Sequence, residues 1–296
     1  ETLRGVGWFD SSSLGVSDGF FVVGDNGSIR FGTIVPFGQG FNWEEKSIDG
    51  VTADFYDTLS GVIVGEGGLI YRTTDTESFS QIDSGTTETL REIDNLFGKT
   101  IVCGDNGTLL VGSSATSLGA VDSGTTQDLY GAAYGNVGER TYCVVGDDVI
   151  LTAPFAADTW TVHSFPGFKF RDVTFMSDNE GTYFLAVGLN GAAFRSTNGQ
   201  HWQPVGPYGP PIELNETRIA GDTQVSAGGR NDFGVIVVSE DGAPFEVAFA
   251  SAELEFLDLE HNGDHFLAVS KAGVYRSENG RDWTETLPEG AEAVAW

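Results

Sequence analysis

The strongest constraint on the fold is an anchor position, almost always glycine, that recurs about every 40 residues behind an apolar run. The run carries strand-forming residues and leads into a tight polar turn and a second strand, as in "FFVVGDNGSIRFGT" from Phe20. The anchor positions are Gly24, Gly65, Gly104, Gly146, Gly188, Gly228 and Ser270. The steps between them are 41, 39, 42, 42, 40 and 42 residues. A spacing this regular indicates a chain built from copies of one structural unit.

Each unit reads as four short strands. The Asn-Gly pairs at Asn26-Gly27, Asn106-Gly107 and Asn190-Gly191 predict two-residue hairpin turns with positive φ. No segment keeps a helical apolar period. One four-stranded sheet cannot bury both faces, whereas a closed ring of sheets buries them and leaves no open edge. We therefore predict an all-β fold, a seven-bladed β-propeller of four-stranded antiparallel blades.

The unit boundaries follow from the repeated linker, which reads "IDSGTTETLREI" from Ile82 and "VDSGTTQDLYGA" from Val121. We predict a single domain, 1–296, with a closing strand at 290–296 that completes the ring. The predicted blades cover approximately 1–48, 49–83, 84–122, 123–165, 166–207, 208–251 and 252–289.

The charge excludes some classes of partner. The chain has 43 acidic and 15 basic residues, a formal net charge of −28, and the acids are spread along its whole length. Such a field disfavours nucleic acids and anionic membranes, and no apolar run is long enough to insert into a bilayer. The composition resembles that of proteins from salt-loving organisms, in which salt screens the self-repulsion. An ordinary acidic secreted protein is the alternative.

The fourth strands carry a family resemblance. The turns "RSTNGQHW" (195–202) and "RSENGRDW" (276–283), with blades such as "LRGVGWFDSSSLGVSDGFFVVGDNGSIRFGT", make the chain similar to the BNR/Asp-box and Ycf48-like β-propellers. This resemblance covers the whole chain and implies the fold. It does not choose a function, because the fold hosts enzymes, assembly factors and receptors. We expect the turns to be self-hydrogen-bonded structural elements with a packed Trp, and ligand contact is the alternative.

Catalysis is not predicted. The resemblance makes sialidases the enzymes to consider, and these need an arginine triad, a Tyr nucleophile with a Glu partner, and an acid/base carboxyl. No Tyr/Glu pair stands out from the repeat, and no Gly-x-Ser-x-Gly elbow, phosphate-binding loop or Cys-x-x-Cys motif occurs. We therefore expect no catalytic residue and no cofactor.

Metal binding is not predicted either. "HNGDH", with His261, Asp264 and His265, reads as a hairpin turn rather than a metal site, and the "GDNG" and "GDD" segments read as turns rather than calcium loops. Cys103 and Cys143 are expected to be buried free thiols.

The candidate binding site consists of four arginines in first strands. Arg4, Arg91, Arg171 and Arg218 occur in "LRGV", "LREI", "FRDV" and "TRIA". The first strand of a propeller blade lines the central channel, so we predict that these four side chains converge at one mouth and bind a partner's carboxylate or a sugar acid. The alternative is local pairing with Glu92, Asp172, Glu216 or a similar neighbour.

The sequence thus predicts a non-enzymatic binding or scaffold propeller. Our first interpretation is an extracellular, cell-surface or virion-exposed recognition module from a halophile that binds a protein or a glycan, alone or within a larger assembly. The first alternative is a Ycf48-like assembly factor for a membrane-protein complex. The second is a divergent sialidase-like glycosidase, which requires paired carboxylates at the channel mouth.

Overall fold

The computed structural model describes residues 2–10, 17–35, 40–178, 181–205, 213–230, 233–241 and 245–288. The predicted closing strand at 290–296 lies outside these ranges. Regular structure within them is β-strand, with a few three-residue 3-10 turns. In the same ranges no helix has the length and apolar character needed to span a membrane. The all-β expectation is therefore confirmed.

Five of the sheets are four-stranded and antiparallel, in sequence order. The first contains β1 (Leu3–Phe9), β2 (Gly19–Gly24), β3 (Ile29–Ile34) and β4 (Phe41–Lys46). The second contains β5 (Phe55–Leu59), β6 (Val62–Gly65), β7 (Ile70–Arg72) and β8 (Ser80–Ile82). The third contains β9 (Leu90–Leu96), β10 (Lys99–Gly104), β11 (Leu109–Gly112) and β12 (Gly119–Ala120).

The remaining sheets complete the described chain. The fourth is six-stranded, with β13 (Leu129–Asn136), β14 (Arg140–Pro154), β15 (Thr161–Asp178), β16 (Gly181–Gly188), β17 (Ala193–Ser196) and β18 (Gln203–Pro204). The fifth contains β19 (Leu214–Ala220), β20 (Thr223–Arg230), β21 (Phe233–Glu240) and β22 (Glu246–Ser251). The sixth contains β23 (Phe256–His261), β24 (Phe266–Ser270), β25 (Gly273–Ser277) and β26 (Thr284–Pro288).

The prediction of seven blades is wrong, because the described residues form six sheets. The cause is β15, which is one continuous strand. Its beginning pairs with β14, Thr161 facing Thr152, and its end pairs with β16, Phe170 facing Gly188. Other units are separated by a polar linker such as 83–89, whereas residues 165–169 stay in the strand. The units around Gly146 and Gly188 therefore share one sheet.

The recurring glycine is explained by a close approach between the first two strands of a unit. Gly24 faces Leu3, and Gly104 faces Leu90, at the point where the inner strand begins. A Cβ on Gly104 would lie 2.0 Å from the carbonyl oxygen of Thr89, which no side chain can tolerate. The anchor is thus a steric requirement of strand pairing.

The Asn-Gly turns have the predicted backbone sign but not the predicted length. Asn26 and Gly27 have φ values of 55° and 74°, so the positive-φ expectation is confirmed. The Gly24 N–H donates to the Ser28 carbonyl at 3.0 Å, and the Ser28 N–H donates to that of Asp25 at 3.0 Å. The connection is therefore a four-residue loop, 25–28, rather than a two-residue turn.

The first strands form a continuous inner ring, each in contact with the next around the axis. The first and last sheets share a core in which Leu3 and Val6 pack with Leu267 and Val269. The Val6 N–H also donates to the Asp258 carboxylate at 2.6 Å. The ring is thus closed at its inner strands by described residues alone.

Candidate functional site

Arginine and tyrosine alternate around part of one channel mouth. The guanidinium carbon of Arg4 lies 5.0 Å from the ring centroid of Tyr56, and that of Arg91 lies 5.1 Å from Tyr56 and 5.3 Å from Tyr130. The guanidinium carbon of Arg171 lies 4.0 Å from the Tyr130 centroid. We call these five residues the Arg–Tyr arc. They share one place, directly after the residue that faces an anchor glycine.

The four predicted arginines do not share one register. Arg4 and Arg171 directly follow Leu3 and Phe170, which face anchor glycines, and Arg91 follows Leu90 in the same way. Arg218 instead faces Val225, four residues after Leu214. Asn215 occupies the position equivalent to Arg4. The structure therefore brings Arg4, Arg91 and Arg171 to the mouth and places Arg218 farther along its strand.

Aspartates hold the three arginines of the arc. Arg4 pairs with Asp25 at 2.5 Å, and Arg171 pairs with Asp147 at 2.9 Å. Arg91 binds Asp105 through two nitrogens, one of them at 3.1 Å. Asp25 and Asp105 belong to the "GDNG" turns, and Asp147 belongs to the "GDD" segment within β14. A guanidinium has five N–H donors, so an arginine bound through two of them can still bind a second acceptor.

The mouth opens into a cavity of about 370 Å³. The Arg–Tyr arc lines it, and the rest of the lining is Leu189, Leu257, Asn215 and the acids Asp57, Glu92, Glu213, Glu216, Glu255 and Asp258. The arc offers planar donors fixed on aromatic rings, and the rest of the lining offers two leucines and several acids. This combination suits an extended peptide, whose carboxylate or carbonyl oxygens accept from the arginines while its side chains meet the leucines.

Farther along the channel, carboxylates enclosed by protein lie two residues after the residues that face anchor positions. They are Asp57, Glu92, Asp172, Glu216 and Asp258. The three aspartates of this set each accept a backbone N–H from the next inner strand around the ring. Asp57 accepts from Ile93 at 2.8 Å. Asp172 accepts from Thr217 at 3.0 Å, and Asp258 accepts from Val6 at 2.6 Å. These carboxylates therefore join neighbouring inner strands. We did not predict this role, although the sequence carries a signal for it, an acid at one position in "YDT", "REI", "RDV", "NET" and "LDL".

Arg218 is the guanidinium among these acids. It pairs with Glu216, and its Nε lies 3.6 Å from a carboxylate oxygen of Glu260. Its Nη1 lies 4.0 Å from a carboxylate oxygen of Asp172. The Arg218 side chain is 29% exposed, and protein covers the rest of it. Arg218 is thus a structural counter-ion, as in the alternative that expected pairing with Glu216.

Burial raises the pKa of these carboxyl groups. The pKa of Asp172 rises to about 6 and that of Asp258 to about 7. Asp94, which lies two residues after Glu92 on β9, is a further channel acid, and its pKa also rises to about 6. The pKa of Glu92 and of Glu216 rises well above the usual range for the same reason. Burial acts to lower the pKa of Arg218, but Glu216 and Glu260 outweigh it and raise that pKa. The channel acids therefore protonate closer to neutral pH than surface carboxylates do.

The other candidate motifs form turns. Asn262 Oδ1 accepts the backbone N–H groups of Asp264 and His265, which folds "HNGDH" into a hairpin. No group of three metal-ligating side chains occurs within the described part of the chain. In "RSENGRDW" the Asn279 Oδ1 accepts two backbone N–H groups, and the Trp283 indole donates to the Gly280 carbonyl at 2.9 Å. Cys103 and Cys143 are buried free thiols, as predicted.

Comparison with known proteins identifies the architecture. No family model and no curated protein sequence matches the chain. The solved structure described as "YCF48 bound to D1 peptide" aligns with a TM-score of 0.68 at 15% identity, over 93% of this chain and 90% of that one. "YCF48 from Cyanidioschyzon merolae" aligns with a TM-score of 0.67 at 12% identity, over 95% and 96%. The chain is a β-propeller.

A third propeller extends the comparison. The WD40 β-propeller domain of Doa1 aligns with a TM-score of 0.69 at 12% identity, over 93% of this chain and 92% of that one. At identities this low, the structural alignments establish the propeller fold alone. The function has to be argued from the geometry of the site. The Ycf48-like part of the sequence resemblance is supported at the level of fold, and the BNR/Asp-box part stays a prediction.

Proposed function

We propose that this propeller is a non-enzymatic protein-binding scaffold that receives an extended partner segment on the Arg–Tyr arc. One observation carries the proposal: Arg4, Arg91 and Arg171 alternate with two tyrosines over one open cavity. The neighbour described as "YCF48 bound to D1 peptide" supports a peptide as the ligand. We propose that the propeller acts as an assembly factor for a membrane-protein complex.

The arc favours a peptide over a glycan. Sugars bind aromatic residues by stacking on their faces, but Tyr56 and Tyr130 already carry guanidinium groups on theirs. The accessible groups are N–H donors, which match peptide carbonyls and carboxylates. An extracellular, cell-surface or virion-exposed location and a glycan partner stay predictions of the sequence.

The net charge of −28 opposes an acidic partner at long range. At physiological ionic strength the Debye length is about 8 Å, so the distant surface acids are largely screened from the mouth. At contact distance the guanidinium donors outweigh them, because charge-assisted hydrogen bonds are about twice as strong as neutral ones. We therefore expect binding to tighten when salt is raised from very low concentration to physiological concentration, the reverse of the usual trend for ionic contacts.

The test is an R91Q/R171Q double variant, titrated with a fluorescent peptide that ends in Asp-Leu with a free carboxylate. We expect about tenfold weaker binding than in the wild type, which corresponds to about 1.4 kcal/mol. The control is R281Q, because Arg281 lies on the outer surface and pairs with Glu240 and Glu246. If the double variant keeps its melting temperature and binds as the wild type does, the arc is structural and the proposal fails.

A further inference from the structure

Two exposed phenylalanines and an arginine form a corner on the face opposite the Arg–Tyr arc. The guanidinium carbon of Arg140 lies 5.3 Å from the ring centroid of Phe97 and 5.5 Å from that of Phe155. The two rings are 5.9 Å apart and inclined at 67°. We call these three residues the aromatic corner. Arg91 and Phe97 lie at opposite ends of β9, about 20 Å apart at roughly 3.3 Å per residue.

Phe97 is an unfavourable residue for its position in the fold. Its side chain is 59% exposed, and its φ of 48° belongs to the left-handed region, which disfavours residues with a Cβ. Gly98, with a φ of 83°, completes the turn between β9 and β10. The corresponding turn between β5 and β6 has Ser60 at a φ of 48°. The turn itself therefore does not require an aromatic ring.

The rings of the corner are held in place by their neighbours. Phe97 stacks on Tyr134, with centroids 4.9 Å apart and planes at 9°. Phe155, which is 42% exposed, lies 6.3 Å from Tyr142 with planes at 14°. The Tyr142 hydroxyl donates to the Leu96 carbonyl at 3.1 Å. A surface fixed in this way loses little conformational entropy when a partner binds.

Arg140 differs from the three arginines of the Arg–Tyr arc, which also contact aromatic rings. Arg4, Arg91 and Arg171 each pair with an aspartate, whereas Arg140 forms no ion pair with any residue of the described ranges. Two aromatic rings lie beside its guanidinium, and the residue as a whole is exposed. A carboxylate meeting the N–H edge of the guanidinium gains a strong hydrogen-bonded pair, and an apolar group beside it covers the rings.

We propose that the aromatic corner is a second docking site, which binds a protein segment carrying a carboxylate next to an apolar side chain. The charge of the corner is complementary to such a segment, and the net charge of −28 disfavours carboxylates that lack the apolar contact. This site is independent of the Arg–Tyr arc. With both faces in use, the propeller would hold two partner segments at once.

The test uses the capped hexapeptide GLELFG and its counterpart GLQLFG, followed by NMR of the aromatic ring signals. We expect GLELFG to shift the signals of Phe97 and Tyr134 with a Kd of about 1 mM or below, and GLQLFG to bind about tenfold more weakly. R140Q should remove this difference. R140K should restore only part of it, because an ammonium lacks the planar stacking of a guanidinium.

F97S separates binding from folding, because Ser60 already occupies the matching turn. We expect F97S to lose the peptide-induced shifts while its melting temperature stays within about 2 °C of the wild type. V247S, which removes another exposed apolar side chain, and the R91Q/R171Q variant should both bind GLELFG normally. Equal binding of the two peptides, normal binding by R140Q, or no binding at about 5 mM would each overturn the proposal. So would self-association of the wild type that F97S abolishes, because the corner would then bind a second copy of this chain.

Discussion

At the scale of single residues, the channel carboxylates matter most for stability. Each is enclosed by protein, and its pKa in the folded chain lies above the ordinary value of about 4. The folded state therefore binds more protons than the unfolded state between about pH 4 and pH 7. The stability that this linkage contributes is fully present below pH 4 and is lost as pH rises through 6 to 7.

We expect the melting temperature to rise by about 5 °C or more when pH falls from 8 to 5. D94N should stabilise the protein at pH 8 and flatten this dependence, because it removes an enclosed group whose pKa is about 6. D49N is the matched control, since Asp49 is exposed, and it should leave the slope unchanged. Thermal unfolding across this pH range measures the difference, and a D94N variant as pH-sensitive as the wild type would show that Asp94 does not contribute to the dependence.

The two thiols should be unreactive in the folded chain. Burial raises the pKa of both Cys103 and Cys143, so the reactive thiolate is scarce and shielded. We expect no reaction with a thiol reagent such as DTNB at pH 8 under native conditions, and two equivalents of reaction after denaturation. Fast labelling of either cysteine in the native protein would show that its sheet opens readily.

Arginines show how far the sequence could predict the site. Arg4, Arg91 and Arg171 were predictable from the sequence because each follows an apolar residue that faces an anchor glycine. Arg218 was misplaced because "TRIA" resembles "LREI" locally, although its strand begins three residues earlier than the motif suggests. The pairing of the arc with aspartates depends on contacts between a strand and a separate segment, and such contacts leave no local pattern.

At the scale of elements, the anchor glycine and the inner strand act as one unit. We expect G104A to lower the free energy of unfolding by about 2–4 kcal/mol, because its Cβ would meet the Thr89 carbonyl oxygen at 2.0 Å. G119A is the control, since a Cβ at that strand position meets nothing within 4 Å. Denaturant unfolding of both variants measures the difference, and equal stabilities would mean that the strands can move apart at no cost.

Strands and anchor positions were predictable from periodicity, but the sheet boundaries were not. Residues 164–170 read "SFPGFKF", and a Pro-Gly pair usually marks a turn. In the structure Gly167 has a φ of 89°, yet the segment remains within β15. The repeat therefore predicted a boundary between 165 and 166 that strand pairing on both sides overrides.

At the scale of the whole molecule, the net charge of −28 should make stability depend on salt. The Debye length falls to about 3 Å near 1 M salt, which screens most of the surface repulsion. We expect the melting temperature to rise between low and molar KCl at pH 8, and to rise less at pH 4.5, where fewer surface carboxylates are charged. A melting temperature that does not rise at pH 8 would contradict the predicted adaptation to high salt.

The bond from the Val6 N–H to Asp258 joins residues 252 positions apart in sequence, and it has a consequence for the order of folding. Contacts inside one sheet connect near neighbours and can form while the chain is still being synthesised. The bond that closes the circle must wait until the more than 250 residues up to Asp258 have left the ribosome. Loop closure over such a distance is entropically slow. Nascent chains would therefore persist as open arcs with one unpartnered inner strand at each end, and chaperones would encounter this protein in that form.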